Sequence, residues 1–192
     1  TGQIVFELIE ANGWQLTEAA RDNLYVAIST DTGSFQYPAT TARTYEIAAA
    51  LTQAGANVGK LNEQTYDSYP LRRIQVLREL LHDLKLSAGE RCASWALTME
   101  MKDRLGILPD DTENLINLLR GIDSVVVAVF FEEIRGGTVR VSMRSKDDHV
   151  DVSEVCGHFG GGGHRLAAGA RVEGELSKIQ DDVLKKIDET LS

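Results

Sequence analysis

The densest concentration of chemically useful residues in the sequence is Phe159-Gly160-Gly161-Gly162-Gly163-His164-Arg165-Leu166-Ala167-Ala168-Gly169. A glycine run lets the backbone approach a ligand closely and turn several N–H groups toward it. A helix starting at His164 would add its positive end, and His164 and Arg165 would add side-chain donors. The pattern suits a phosphate cradle; a tight turn is the other reading of the same glycines. Upstream, Arg140, Ser142 and Arg144 alternate with Val139, Val141 and Met143. Period-two alternation puts the arginines on one side of a strand, where guanidinium groups can bind phosphate bidentately. A solvated strand face gives the same pattern. The third feature is Asp31, in Thr30-Asp31-Thr32-Gly33-Ser34-Phe35. A carboxylate among hydroxyls at the end of an apolar run suits a hard or borderline metal ion. It also suits a turn or helix cap, the commoner use of such an Asp, and one carboxylate does not make a metal site.

The surrounding patterns indicate what must position these residues. Residues 4–11 read as a short helix broken at Asn12-Gly13, and Thr17 followed by Glu18 can cap a second one. The apolar residues from Leu24 to Ile28 fit a helix end or a strand, because periodicity does not separate the two over so short a run. Helical spacing returns over residues 41–54, 58–66 and 71–84. The texture changes near Gly89. Residues 93–97 read as a strand, Asp110-Asp111-Thr112-Glu113 as a capping box opening a helix with Leu115, Leu118 and Leu119, and residues 124–131 as a buried central strand. Gly136-Gly137 fits a hairpin turn, Asp151 a helix cap, and Leu176, Ile179, Val183, Ile187 and Leu191 a C-terminal helix. The chain thus reads as a helical first part to about residue 60, a helical connector over 61–90 poor in Gly, Pro and Ser, and an α/β domain over 91–192.

The chain has 192 residues, 43% of them hydrophobic and 26% charged, which is enough for a core and excludes wholesale disorder. No apolar run approaches the ~18 residues of a membrane-spanning helix, and no signal peptide is visible. Helical patterning begins almost at once, which points to a fragment whose natural N-terminus lies upstream. Cys92 and Cys156 have no paired spacing, so they suggest reduced thiols in a cytoplasmic protein rather than a disulfide framework or a zinc site. The net charge of −9 argues against a long duplex DNA groove. Between Arg135 and Arg171, however, six Lys/Arg face four Asp/Glu, and three of the four histidines fall there. A locally basic, glycine-rich segment in an acidic protein suits a small phosphorylated ligand better than a polymer.

Thr30-Asp31-Thr32-Gly33-Ser34-Phe35, Ser142-Met143-Arg144-Ser145, Asp151-Val152-Ser153, and above all Gly161-Gly162-Gly163-His164 with Ala167-Ala168-Gly169 together resemble the DHH/DHHA1 phosphoesterases. The likeness is greatest to the branch of oligoribonucleases (nanoRNases) that are also 3′-phosphoadenosine 5′-phosphate (PAP) phosphatases. The motifs occur in the family's order over nearly the whole chain. The resemblance implies an α/β fold: the C-terminal remnant of a DHH domain over residues 1–60, a helical linker over 61–90, and a complete DHHA1 substrate-binding domain with a mixed sheet over 91–192. It implies a pair of Mn²⁺ ions that activate water and stabilise the transferring phosphoryl group. Asp31 matches the last metal-ligating Asp of the DHH domain. Gly162, Gly163 and His164 match the substrate-binding glycine-histidine motif, and Ser142, Arg144 and Ser145 the substrate-binding strand.

The family's Asp-X-Asp and Asp-His-His motifs are absent; Asp147-Asp148-His149 is a different order in the other domain. The expectation is therefore the C-terminal portion of a manganese-dependent hydrolase of short RNA, PAP or a cyclic dinucleotide, incomplete for catalysis on its own. The expected partners are a short RNA or small nucleotide, with no duplex DNA and no membrane; a homodimer is compatible with this reading. The alternative is a non-catalytic RNA-binding DHHA1 module such as the appendage of alanyl-tRNA synthetases. Asp31 and its flanking motif favour the enzyme, because a bare appendage has no use for them.

Overall fold

Thr17 and Thr41 open two helices by the same device, a hydroxyl that accepts an otherwise unpaired backbone N–H of the first turn. In the computed structural model, which describes residues 1–191, they belong to the first of two units, Thr1–Tyr69. This unit is helical: α1 (Gly2–Ala11), α2 (Glu18–Asp31), α3 (Ala42–Gln53) and α4 (Val58–Asn62), followed by a π-helical turn, Glu63–Asp67. Thr17 Oγ1 accepts from Ala20 N at 3.2 Å, and Thr41 and Thr44 exchange hydroxyl and backbone bonds in a capping box. Leu24 and Ile28 on α2 meet Ile47 and Leu51 on α3, with Phe6 and Tyr25 completing the core. The run that fitted helix or strand is helix because these i, i+4 pairs put one apolar stripe against another.

The second unit begins at Pro70. It contains α5 (Leu71–His82), β1 (Lys85–Ser87), β2 (Cys92–Leu97), α6 (Met99–Leu105), α7 (Ile116–Arg120), β3 (Val127–Ile134), β4 (Thr138–Ser145), α8 (Val152–His158), β5 (Gly162–His164), β6 (Ala167–Glu173) and α9 (Leu176–Leu191). The strands form a six-stranded sheet in the order β1-β2-β3-β4-β6-β5, parallel between β2 and β3 and antiparallel elsewhere. The fold is α/β with a mixed sheet. Val127, Val129, Phe131, Val139, Val141 and Met143 look to one face, under α8 and α9. Ala93, Trp95, Leu97, Ala128 and Phe130 look to the other, under α5 and α7. That second cover reaches β2, β3 and, through α7, part of β4, and among the described residues it leaves the same face of β6 and β5 open.

Four elements differ from the sequence expectation. Asp110 to Thr112 form a 3₁₀ turn rather than a helix cap, and α7 starts later with no side-chain cap. Asp111 is instead buried, accepting from Leu108 N at 2.8 Å and from Arg72 Nε at 2.5 Å. The central strand runs on through Glu132 and Glu133, because Lys102 and Arg140 neutralise Glu132. Residues 85–87 form a strand too short for its own pattern to be readable. His164 lies in β5, so no helix starts there.

Cys92 and Cys156 are fully buried on the α9 side, and burial pushes both thiols up to about 11; a hydrogen bond from Ser87 offsets this only in part at Cys92. Both should therefore be inert at neutral pH. A thiol-reactive chromophore is expected to label the native chain slowly and the denatured chain at once; fast native labelling would contradict this. Because the folded values lie above the unfolded one of about 8.5, the unfolded state ionises first as pH rises. Stability is expected to fall between pH ~8.5 and ~11.

Candidate functional site

Asp31 belongs to the first unit, and the other expected site residues belong to the second. Asp31 closes α2 with its carboxylate exposed, and among the described residues that carboxylate caps no backbone N–H. It lies at the rim of a groove of about 430 Å³ between α1 and α2, lined by Val5, Ile9, Leu24 and Ala27. The chain then makes three successive left-handed residues, Gly33, Ser34 and Phe35, at φ 56°, 57° and 66°. For Ser34 and Phe35 that conformation costs on the order of 1–2 kcal/mol each. It is held by Thr32, whose hydroxyl accepts from Phe35 N at 3.1 Å and whose carbonyl accepts from Gln36 and Tyr37 N. The Phe35 ring stacks on Tyr45 with centroids 5.4 Å apart. Strain held this firmly fixes where α2 ends, and with it Asp31. Among the described residues no three His, Cys, Asp or Glu side chains gather to hold a metal ion. Asp31 alone does not fit a two-manganese centre.

In the second unit the sheet register does what linear spacing cannot show. Arg144 on β4 pairs with Ala167 on β6, which pairs with His164 on β5. Two residues along, Ser142 pairs with Gly169 and Gly169 with Gly162. Paired residues point to the same side of a sheet, so Ser142, Arg144, Gly162 and His164 share the open face. Strands ~4.8 Å apart place the Arg144 and His164 backbones ~10 Å apart with only an alanine between them. Arg144 Nη1 donates to Met143 O at 2.9 Å, while the exposed His164 ring has no hydrogen-bond partner among the described residues. The floor of Ala167, Gly169 and Gly162 is flat enough for a planar group to lie on it.

Two expected site residues fall elsewhere. Ser145 is buried, and its hydroxyl donates to Asp147 O at 3.0 Å and accepts from Asp147 N at 3.1 Å, so it shapes a turn and does not face the platform. Gly163 pairs with Ala168 on the core-facing register. Arg165 is likewise no free donor: it donates to Asp148 O at 2.8 Å and pairs with Asp151 at 3.4 Å. Asp151 caps α8 as expected, and the Ser153 hydroxyl, then the Ser153 and Glu154 N–H groups, hold its carboxyl below the usual range. The β5–β6 hairpin carrying His164 is thereby tied to the start of α8.

The glycine run divides by role. Gly160 has φ 74°. Gly160 N and Gly161 N donate to Gly157 O and Cys156 O, so neither is offered to a ligand. A Cβ on Gly161 would lie 2.6 Å from that of Ala170, and one on Gly163 would lie 2.6 Å from Ala167 O at a backbone φ of 150°. Gly162 differs: its φ is not positive, and a Cβ there would meet nothing within 4 Å. Folding does not require glycine at Gly162, whereas close approach of a ligand would. Sequence reasoning quoted Ala167 and Gly169 as part of a motif without placing them on this face, and it gave Arg171 no role. Reading residues 167–173 as a strand with period two would have found them.

A second groove of about 340 Å³, lined by His158, Phe159, Asp182, Lys185, Lys186 and Glu189, mixes charges of both signs, with Lys186 already paired to Glu189 at 3.0 Å. It is a poorer anion site than the sheet face.

A six-stranded mixed sheet, with helices on one face and part of the other left open beside a glycine hairpin, defines an α/β module, and the DHHA1 domain family matches residues 96–192. The chain belongs to that family. It is 30% identical over 168 residues to the probable bifunctional oligoribonuclease and PAP phosphatase NrnA of Streptococcus mutans, covering 88% of this chain and 53% of that protein. It is 28% identical over 193 residues to the bifunctional oligoribonuclease and PAP phosphatase NrnA of Thermus thermophilus, covering 100% of this chain and 57% of that protein. The chain spans about half the length of the curated relatives it matches. A crystal structure of an exopolyphosphatase-related protein from Bacteroides fragilis shares the fold, with a TM-score of 0.89 at 24% identity, covering 99% of this chain and 57% of that one. Among the described residues no helix is long and apolar enough to cross a membrane.

Proposed function

We propose that the open sheet face binds the phosphate and terminal nucleotide of a short oligoribonucleotide or of PAP, and that the whole protein is a DHH-family phosphoesterase that hydrolyses such substrates or a related cyclic dinucleotide. The observation that carries this reading is the cross-strand row Arg144–Ala167–His164 beside Ser142–Gly169–Gly162. A phosphate above Ala167 would have a guanidinium on one side and an imidazole on the other, with a base or ribose lying across the glycine strip. The names of the relatives support the substrate class. The contribution of the second unit is binding and orientation: it fixes the phosphate by charge-assisted bonds and leaves the nucleotide against a rigid sheet.

The test is a heteronuclear NMR titration of the chain with PAP. Shifts are expected at Ser142, Arg144, Gly162, His164, Ala167 and Gly169. Shifts confined to α8 and α9 would contradict the reading.

Manganese is the cofactor we propose for the whole protein, with Asp31 as one ligand. In the whole enzyme Asp31→Ala is expected to remove most Mn²⁺-dependent turnover while leaving the affinity of the platform for PAP within about two-fold. Near-normal turnover would return Asp31 to the role of a surface residue.

A further inference from the structure

The open face does not end at Ser142 and Gly169. Two residues further along, Arg140 on β4 pairs directly with Arg171 on β6, and Arg140 pairs on its other side with Glu132 on β3. Like charges placed opposite each other across a sheet are destabilising, and this pair stands in an acidic chain of net charge −9. Glu132 answers one of the two: it is buried, held by Lys102 at 2.7 Å, and ion-paired to Arg140. Arg171 is exposed, and its guanidinium has no hydrogen bond or ion pair among the described residues. Glu173 lies two residues further along the same face of β6, so three cations (Lys102, Arg140 and Arg171) stand against two carboxylates (Glu132 and Glu173) at this end of the platform, and Arg171, on the same side of the sheet as Arg144, is the cation that no carboxylate pairs among the described residues.

We propose that Arg171, with Arg140 beside it, forms a second anion subsite that takes a later phosphate of an oligoribonucleotide whose first phosphate sits at Arg144 and His164. The inference rests on the phosphate-binding reading of that first row and adds to it a substrate length. The Arg144 and Arg140 rows are four residues apart along the strand, ~13 Å at the usual rise. Side chains stand roughly perpendicular to a sheet, so the guanidinium heads keep about that separation. One internucleotide link cannot span it, whereas two links of an extended strand can. A dinucleotide or PAP engages only the first row, and an RNA of three or more nucleotides engages both. The face thus favours short oligomers over the mononucleotide and dinucleotide products that hydrolysis leaves.

The experiment is calorimetric titration, at low salt, of the 192-residue chain and its Arg171→Gln variant with a 5′-phosphorylated ribodinucleotide and a 5′-phosphorylated ribopentanucleotide. Arg171→Gln is expected to weaken pentanucleotide binding about 3- to 5-fold, the upper part of the range for one solvent-exposed charge contact. It should leave dinucleotide binding within about two-fold and the melting temperature unchanged or slightly raised, since a like-charge pair is removed. Equal losses for both lengths, or no loss for either, would overturn the second subsite while leaving the first row standing. A parent chain that binds neither RNA would overturn the platform reading itself, and the second subsite with it.

Discussion

Arg144→Ala and His164→Ala are each expected to weaken PAP binding by about 10- to 150-fold while leaving the melting temperature nearly unchanged. A hydrogen bond to a charged group contributes roughly 1.5–3 kcal/mol, which is that range of affinity. The two residues flank the same alanine from opposite strands, so each supplies donors that the other cannot replace. The chain offers little compensating attraction, since outside the basic window its charge is strongly negative. Neither side chain is part of either sheet core: Arg144 is half-buried and His164 is exposed. Calorimetry and thermal denaturation of each variant separate binding from folding. Parent-like binding with a melting point several degrees lower would make both residues structural.

Gly161→Ala is expected to cause the largest loss of stability of any exchange in the glycine run, at the upper end of the roughly 1–3 kcal/mol that overpacking costs. The new methyl would collide with the backbone of Gly169 and Ala170. β6 cannot retreat, because it is paired to β4 along its other edge. The expected consequence is a detached or displaced β5. Gly162→Ala is the control on the same hairpin. Its methyl has open space and no strained φ, so stability is expected to change by about 0.5 kcal/mol or less. PAP affinity should fall instead, because the methyl stands on the ligand face. Chemical denaturation of the two variants beside PAP titration checks both halves. If Gly162→Ala is the more destabilising exchange, or binds PAP like the parent, the division of roles among the glycines fails.

The contrast between those glycines shows where the sequence was legible and where it was not. Composition and motif order singled out the glycine run as the candidate site, and alternation over β4 placed Arg144 opposite the core. Both are local properties of the chain. The glycine run was compatible with a helix starting at His164 or with a tight turn; it forms a hairpin, because glycine permits any backbone and the choice is made only through pairing with β6. That pairing is non-local. It separates Gly162, paired with Gly169 on the open face, from Gly163, paired with Ala168 on the opposite side of the sheet, although the two are neighbours of identical type. Ser145 follows the same logic one residue past Arg144: alternation turns it inward, where its hydroxyl closes a turn with Asp147. In the first unit the motif around Asp31 was plain, but the left-handed run at Gly33, Ser34 and Phe35 was not. Nothing in the types of Ser34 and Phe35 asks for that conformation. It is imposed by Thr32 and by the stacking of Phe35 on Tyr45.

The most direct test of the central claim, that sheet register builds a phosphate site on the open face, is a crystal structure of the chain with PAP bound. A phosphate is expected over Ala167, within hydrogen-bonding distance of both Arg144 and His164, with the nucleotide lying across Gly169 and Gly162. A phosphate seated instead beside Lys185 and Lys186 in the α8–α9 groove, with the sheet face bare, would contradict it.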